Sequence, residues 1–270
     1  MEERIVAAYY NEFDPFAAAW LRELIKDGLI ADGVVDERSI EDVEPNDLKG
    51  FTQCHFFAGI GGWSAAARLA RWDDARPMWT GSPPCQPFST AGKNKGKDDL
   101  RHLWPVFFNL IRECKPSVVF GEQVASAIRH GWFCDLQTDL EAQGYAAALV
   151  VLPSASVGAP HKRDRLFYIA SSVADSRREG SQRFMLPRIK QIQKGRQGEK
   201  RHIAENNLAN PWRGSGSVMA RDGKRRPTPT ESSLQPMASR LPNRVGILRG
   251  AGNAIVPQVA AEIIKAYMDK

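Results

Sequence analysis

At 270 residues with 43% hydrophobic content, the chain is long enough for one large domain, or one domain with a smaller lobe, around a sizeable core. No run of about 18 apolar residues occurs, Met1-Glu2-Glu3-Arg4 does not read as a signal peptide, and Cys54, Cys85, Cys114 and Cys134 show neither Cys-x-x-Cys spacing nor paired histidines. These features argue against a membrane span, a disulfide framework and a metal site, and the expectation is a cytoplasmic protein with free thiols. The net charge of +6 is unevenly spread: residues 1–50 hold 13 acidic and five basic residues, and residues 171–230 hold five and 14. A strongly basic segment of this kind suits a polyanionic partner.

In chain order, residues 4–10 read as a strand and lead to a helix capped by Asp14 and opened by Pro15. Phe16, Trp20, Leu21, Leu24 and Ile25 fall on one face of that helix, and Gly28 and Gly33 bracket its end. Val34-Val35-Asp36 is a second short strand ending on an acid. An acidic connection over 37–50 precedes a strand at 51–57, the turn Ala58-Gly59-Ile60-Gly61-Gly62, and a helix over 63–72. A strand, a glycine turn and a helix N-terminus let backbone N–H groups approach a ligand closely. Met78-Trp79-Thr80 ends a buried strand just before Gly81-Ser82-Pro83-Pro84-Cys85-Gln86-Pro87-Phe88-Ser89.

Pro84 and Pro87 restrict the backbone on both sides of Cys85, which suits the mounting of a nucleophilic thiol past a strand's carboxyl end. The loop 90–99 is glycine-bearing and carries Lys93, Lys95 and Lys97, which can meet phosphates. A helix over 103–113 and a strand at 117–120 follow, the strand running into Gly121-Glu122-Gln123-Val124. Glu122 is thus an acid at a strand end, where a buried carboxyl can serve as a proton donor or, more commonly for a glutamate, as a structural cap. A helix over 135–143 and a strand over 146–152 lead to 158–170, where Arg163 and Arg165 alternate and on a strand would point the same way. Residues 171–230 are basic and poor in apolar side chains, and a last helix follows Pro257.

Ser82-Pro83-Pro84-Cys85-Gln86-Pro87-Phe88-Ser89 resembles the catalytic loop of the DNA (cytosine-5)-methyltransferases, and five further motifs resemble that family's. Phe57-Ala58-Gly59-Ile60-Gly61-Gly62 looks like its S-adenosylmethionine signature, Glu122-Gln123-Val124 like its Glu-Asn-Val, and His161-Lys162-Arg163-Asp164-Arg165 like its Gln-x-Arg-x-Arg. Arg249-Gly250-Ala251-Gly252-Asn253-Ala254-Ile255-Val256-Pro257-Gln258-Val259-Ala260 looks like its closing motif, in which Asn253 helps hold the cofactor. In the family the glycine turn usually precedes the acids for the cofactor's ribose and adenine. Here Glu12-Phe13 and Asp36, which resemble those acids and their aromatic neighbour, stand before it, so a rearranged chain order is expected to assemble one pocket.

The resemblance implies an α/β, Rossmann-like S-adenosylmethionine-dependent methyltransferase sheet with a small basic target-recognition lobe. Residues 1–170 would form the first catalytic part, 171–238 the recognition region, and 239–270 a return to the catalytic domain. It implies S-adenosyl-L-methionine held by Glu12, Phe13, Asp36, Phe57, Ala58, Gly59, Ile60, Gly61, Gly62, Ser82, Pro84, Leu103, Asn253 and Ala254. Cys85 would attack the base, Glu122 would act at ring nitrogen 3, Arg165 would hold the ring carbonyl or a phosphate, and Arg163 would position Glu122. Gln86, Ser89, Lys93, Lys95 and Lys97 would contact double-stranded DNA. A bacterial or phage-encoded monomer is expected, with the recognised sequence and any cognate restriction enzyme left open. An RNA cytosine-5 methyltransferase and an inactive DNA-binding relative are the alternatives.

Overall fold

The computed structural model describes residues 8–84, 103–130, 132–159, 161–173, 216–219, 225–228, 250 and 252–269. The first strand, β1 (Ala8–Asn11), leads to helix α1 (Pro15–Lys26), where Asp14 Oδ1 accepts from the amides of Phe16 and Ala17 and Pro15 supplies a preset φ. Strand β2 (Gly33–Asp36) follows. Two short 3-10 turns (Ile40–Asp42 and Pro45–Leu48) carry the chain to β3 (Gln53–Phe56), and α2 (Gly62–Leu69) connects β3 to β4 (Met78–Gly81). Helix α3 (Trp104–Cys114), β5 (Val118–Val124), α4 (Trp132–Ala142), β6 (Tyr145–Pro153) and β7 (Asp164–Ser172) complete the first part. Later in the chain come an antiparallel hairpin, β8 (Gly216–Met219) and β9 (Arg225–Thr228), and helix α5 (Pro257–Met268). Among the described residues, no helix is long and apolar enough to cross a membrane.

Among the described residues, seven strands form one sheet in the order β2-β1-β3-β4-β5-β7-β6, with β2 to β5 parallel and β7 antiparallel to both its neighbours. Both faces are covered, which explains why β1, β3 and β4 are apolar or buried throughout rather than alternating. On one face Tyr9, Cys54, Phe56, Trp79, Val119 and Tyr168 pack with the 3-10 turns, α3 and α4. On the other, Tyr10 meets α1, while Met78, Phe120 and Phe167 meet α2 and α5. The rearranged order expected for the two acid-bearing strands is therefore realised: β1 and β2 precede β3 in the chain yet lie beside it.

The faces also fix the connections. From β1 to β2 the chain steps towards one edge through α1, and from β3 to β4 it steps towards the other through α2. Both helices lie on the same face, as Gly61 against Leu21 and Leu24 and the Tyr10–Ser64 hydroxyl contact of 3.0 Å require. The two crossovers therefore have opposite hands. The connections β2 to β3 and β4 to β5 step like β3 to β4 but pass over the opposite face, so they share the hand of β1-α1-β2. Since nearly all such units are right-handed, β3-α2-β4 is the left-handed exception.

Candidate active site

The carboxyl ends of β1, β3, β4 and β5 face one side of the sheet, where open α/β folds bind their ligands. After β3 the backbone turns sharply through Phe57 (φ 53°), Gly59 (φ 56°) and Gly61 (φ 77°) into the N-terminus of α2. Glu12, just past β1, holds this turn. Its Oε2 accepts from the Gly59 amide at 2.7 Å and its Oε1 from the Asp14 amide at 2.8 Å. Burial raises the Glu12 carboxyl above the ordinary carboxylate range, and those two amides oppose the rise.

Phe13 beside it is 70% exposed, an aromatic face left uncovered at the cleft. A Cβ on Gly59 would meet nothing within 4 Å, so the turn is open on its outer side. From the far end of the chain, Gly250 packs against Ile60 and Trp20, and Ile255 lies against Gly62. Asn253 is exposed, and Ala254 packs in the α1 cluster. The residues expected from Glu12, 57–62 and 253–254 to hold one cofactor are thus brought together. An acid, a glycine turn and an exposed aromatic ring suit a nucleoside-bearing group.

Asp36 ends β2 in register with Asn11. Both of its oxygens are engaged: Tyr9 donates at 2.7 Å, and the Arg38 side chain donates at 2.7–3.1 Å while also reaching Asp47 at 2.9 Å. Burial works to raise the Asp36 carboxyl, but the bonds from Arg38 and Tyr9 outweigh it and hold the group below its usual range. The acid expected to meet the adenine amino group is already tied into the sheet edge. Arg38, which pattern alone did not single out, does the tying.

On the other side of the cleft, Glu122 on β5 lies against Arg165 on β7, with Nε and Oε1 2.6 Å apart and only 12% of the Glu122 side chain exposed. Burial pushes the carboxyl up to about 6, against the opposing pull of Arg165 and Arg163. Two expectations about the arginines are corrected. Arg163 precedes β7 with a positive φ of 33°, so it does not share a strand face with Arg165. It is Arg165 that touches Glu122, while Arg163 Nη2 donates to the Ala254 carbonyl at 2.8 Å. The buried Nε of Arg163 has no hydrogen-bond partner among the described residues.

Gln123, which stands where the resemblance expects Asn, spans the end of β5. Its Nε2 donates to the Pro83 carbonyl at 3.1 Å, and its Oε1 accepts from the Val124 amide. Ser82 is half-buried, Pro84 exposed, and Leu103, directly before α3, packs on the core. Cys85, Gln86, Ser89, Lys93, Lys95 and Lys97 lie outside the described residues.

A Rossmann-like sheet, with an acid-held glycine turn on one side of its cleft and a buried glutamate paired to arginine on the other, has the form of an open α/β fold with a ligand cleft at its strand ends. Residues 74–236 match the C-5 cytosine-specific DNA methylase family, and the chain belongs to it. It is 32% identical over 96 residues to the type II methyltransferase M.AplI of Arthrospira platensis, covering 35% of this chain and 28% of that protein. It is 36% identical over 92 residues to M.HhaI of Haemophilus parahaemolyticus, covering 32% and 28%. The chain thus spans little more than a quarter of the length of either curated relative in these matches. Among solved structures, it is similar to a prophage-encoded DNA modification methyltransferase of E. coli, with TM-score 0.40, 17% identity and coverage of 63% and 48%.

Proposed function

We propose that the protein transfers a methyl group from S-adenosylmethionine to carbon 5 of a flipped-out cytosine in duplex DNA. The observation that carries this reading is Glu122, a carboxyl buried against Arg165 at the strand end beside the segment that leads into Cys85. A carboxyl titrating near 6 is partly protonated around neutrality, as a donor to a ring nitrogen needs.

The residues fit the cofactor. Glu12 would accept from ribose hydroxyls with the lone pairs its two amides leave, Phe13 would cover the adenine face, and the glycine turn and Asn253 would close round the rest. When bound, S-adenosylmethionine supplies an electrophilic methyl group. The chain's own residues must make cytosine able to take it, because carbon 5 is a weak nucleophile.

The Cys85 thiolate adds to carbon 6 while Glu122 gives its proton to nitrogen 3, and carbon 5 becomes enamine-like. Arg165 offsets the charge that develops around Glu122 and the ring. Once carbon 5 carries the methyl group, its proton is lost to solvent, the double bond re-forms as the cysteine thiolate leaves, and nitrogen 3 returns its proton to Glu122. That face of the base is inside the helical stack, so the base must leave the duplex first. The basic 171–230 segment supports a DNA partner through phosphate contacts.

The test is transfer of labelled methyl to duplex DNA with the product bases resolved by mass spectrometry, and Cys85→Ala as the paired control. Label in 5-methylcytosine that vanishes in the control is the expected result. Label on structured RNA and none on DNA would move the substrate to RNA. Absence of both, with folding and cofactor binding intact, would leave a binding protein.

A further inference from the structure

Three consecutive residues lead out of β4 towards Cys85, and each is held by a side-chain contact from a different element. Tyr168 of β7 donates its hydroxyl to the Gly81 carbonyl at 2.9 Å in a buried bond. Trp63 of α2 donates its indole N–H to Ser82 Oγ at 3.1 Å. Gln123 of β5 donates to the Pro83 carbonyl at 3.1 Å, also buried. Tyr168 packs on the face of α3, and Trp63 on the opposite face with α2 and α5, so the grip comes from both sides of the sheet.

We infer that Trp63, Gln123 and Tyr168 are positioning residues that fix Gly81-Ser82-Pro83 and so aim the nucleophile two residues further on. This rests on the methyltransferase reading above.

The row of residues across the sheet supports it. Gly81 on β4 pairs with Gly121 on β5, which pairs with Tyr168 on β7. A Cβ on Gly121 would lie 2.0 Å from the Tyr168 ring and 2.2 Å from its hydroxyl oxygen, so the ring lies across Gly121 to reach the neighbouring strand. A Cβ on Gly81 would lie 2.3 Å from Phe107, which fills the space beneath. Glycine within a strand weakens it unless something must come close. Here a ring comes close at each.

The bonds act at the end of the ladder and beyond it. Gly81 is the last residue of β4, and Pro83 lies beyond the sheet's main-chain pairing, yet both carbonyls find side-chain donors. Pro83 and Pro84 have fixed φ values, so holding the peptides before them leaves few ways for the chain to enter Cys85. A nucleophile displaced by about an ångström loses much of its rate, so such a grip acts on turnover rather than on affinity.

Tyr168→Phe and Gln123→Leu each remove one donor and keep most of the volume, and Gly121→Ala displaces the Tyr168 ring and its hydroxyl without removing either donor group. The readouts are kcat, KM for DNA and for cofactor, and the pH dependence of Cys85 alkylation by iodoacetamide. Alkylation is followed peptide by peptide against exposed Cys134. The expected result is about tenfold loss of kcat per removed bond, KM unchanged within about twofold, a larger loss in the double variant, and a shifted Cys85 alkylation profile. Unchanged kcat and an unchanged Cys85 profile, with only a lower melting temperature, would overturn the inference. A wild-type protein that methylates no cytosine would instead sink the functional reading, and the alkylation profile would still decide the positioning.

Discussion

Glu12 and Glu122 both stand at the ligand side of parallel strands, with β3 and β4 between them, and burial raises both carboxyls. What opposes the rise differs. Glu12 is held by two backbone amides that belong to the turns it organises, so its geometry is set by main chain. Glu122 is met by side chains, an ion pair with Arg165 and the more distant charge of Arg163. An acid fixed by amides suits a stationary acceptor, and an acid balanced between burial and guanidinium suits a group that must exchange a proton.

The strongest way to break this comparison is Glu122→Gln, which keeps the shape and removes the proton exchange. We expect methyl transfer to fall by about 10²–10⁴-fold, with cofactor affinity measured by calorimetry unchanged. If the reading of Glu122 is right, the free enzyme's kcat/KM also carries a limb that falls as pH rises through about 6, and the variant lacks it.

Stability against pH separates Glu122 from a third buried group. His55 is fully enclosed, bonded to Thr80 and Gln53, and burial lowers its pKa to about 3. Being depressed, it contributes stability above 6.5 that is lost as pH falls towards 3, with a slope of up to about 1.4 kcal/mol per pH unit. Glu122 has the opposite sign: its raised value contributes stability below 4.5 that is lost as pH rises through about 6. The two titrate against each other between 4.5 and 6. Urea unfolding of Glu122→Gln should therefore show a steeper acid-side loss than wild type, and His55→Gln a shallower one.

A smaller effect sharpens the other side. Glu12→Gln puts an NH₂ group against one of two amides, and cofactor binding should weaken by about tenfold, near 1.4 kcal/mol, while kcat at saturation changes less. Smallest of all, Arg38→Ala, which removes an exposed guanidinium bridging half-buried Asp36 and Asp47, should cost at most about 1 kcal/mol of stability in thermal unfolding. If it weakens cofactor binding instead, Asp36 acts in the pocket as well as in the edge.

The sheet's elements were legible because their signals are local: Asp14-Pro15 opens α1, and short apolar runs ending in acids or glycines mark the strands. The placing of β1 and β2 beside β3 was legible only because Glu12 and Asp36 resembled motifs found elsewhere in the usual order. What stayed hidden depends on atoms far apart in sequence. The pairing of Glu122 with Arg165 rather than Arg163 follows from the antiparallel register of β5 and β7 and from the bend at Arg163, neither of which spacing reveals. Tyr168 and Trp63 read as ordinary core aromatics. Two glycines inside apolar strands, Gly81 and Gly121, were the available sign that something crosses there.

The left-handed step from β3 through α2 to β4 bears on how the chain reaches its native state. A chain in which residues 8–50 followed α2 and preceded β4 would build the same sheet with every parallel crossover of one hand. In the present order, the ribosome releases β3 and α2 when β1, α1 and β2 are already available to pack, so the helix can dock on their face before β4 emerges. Early docking within residues 8–69 would thus commit the chain to a connection it would otherwise rarely choose. Refolding from denaturant, where all segments compete at once, should be slower and more prone to aggregation than folding during synthesis, and the reordered chain should lose that difference.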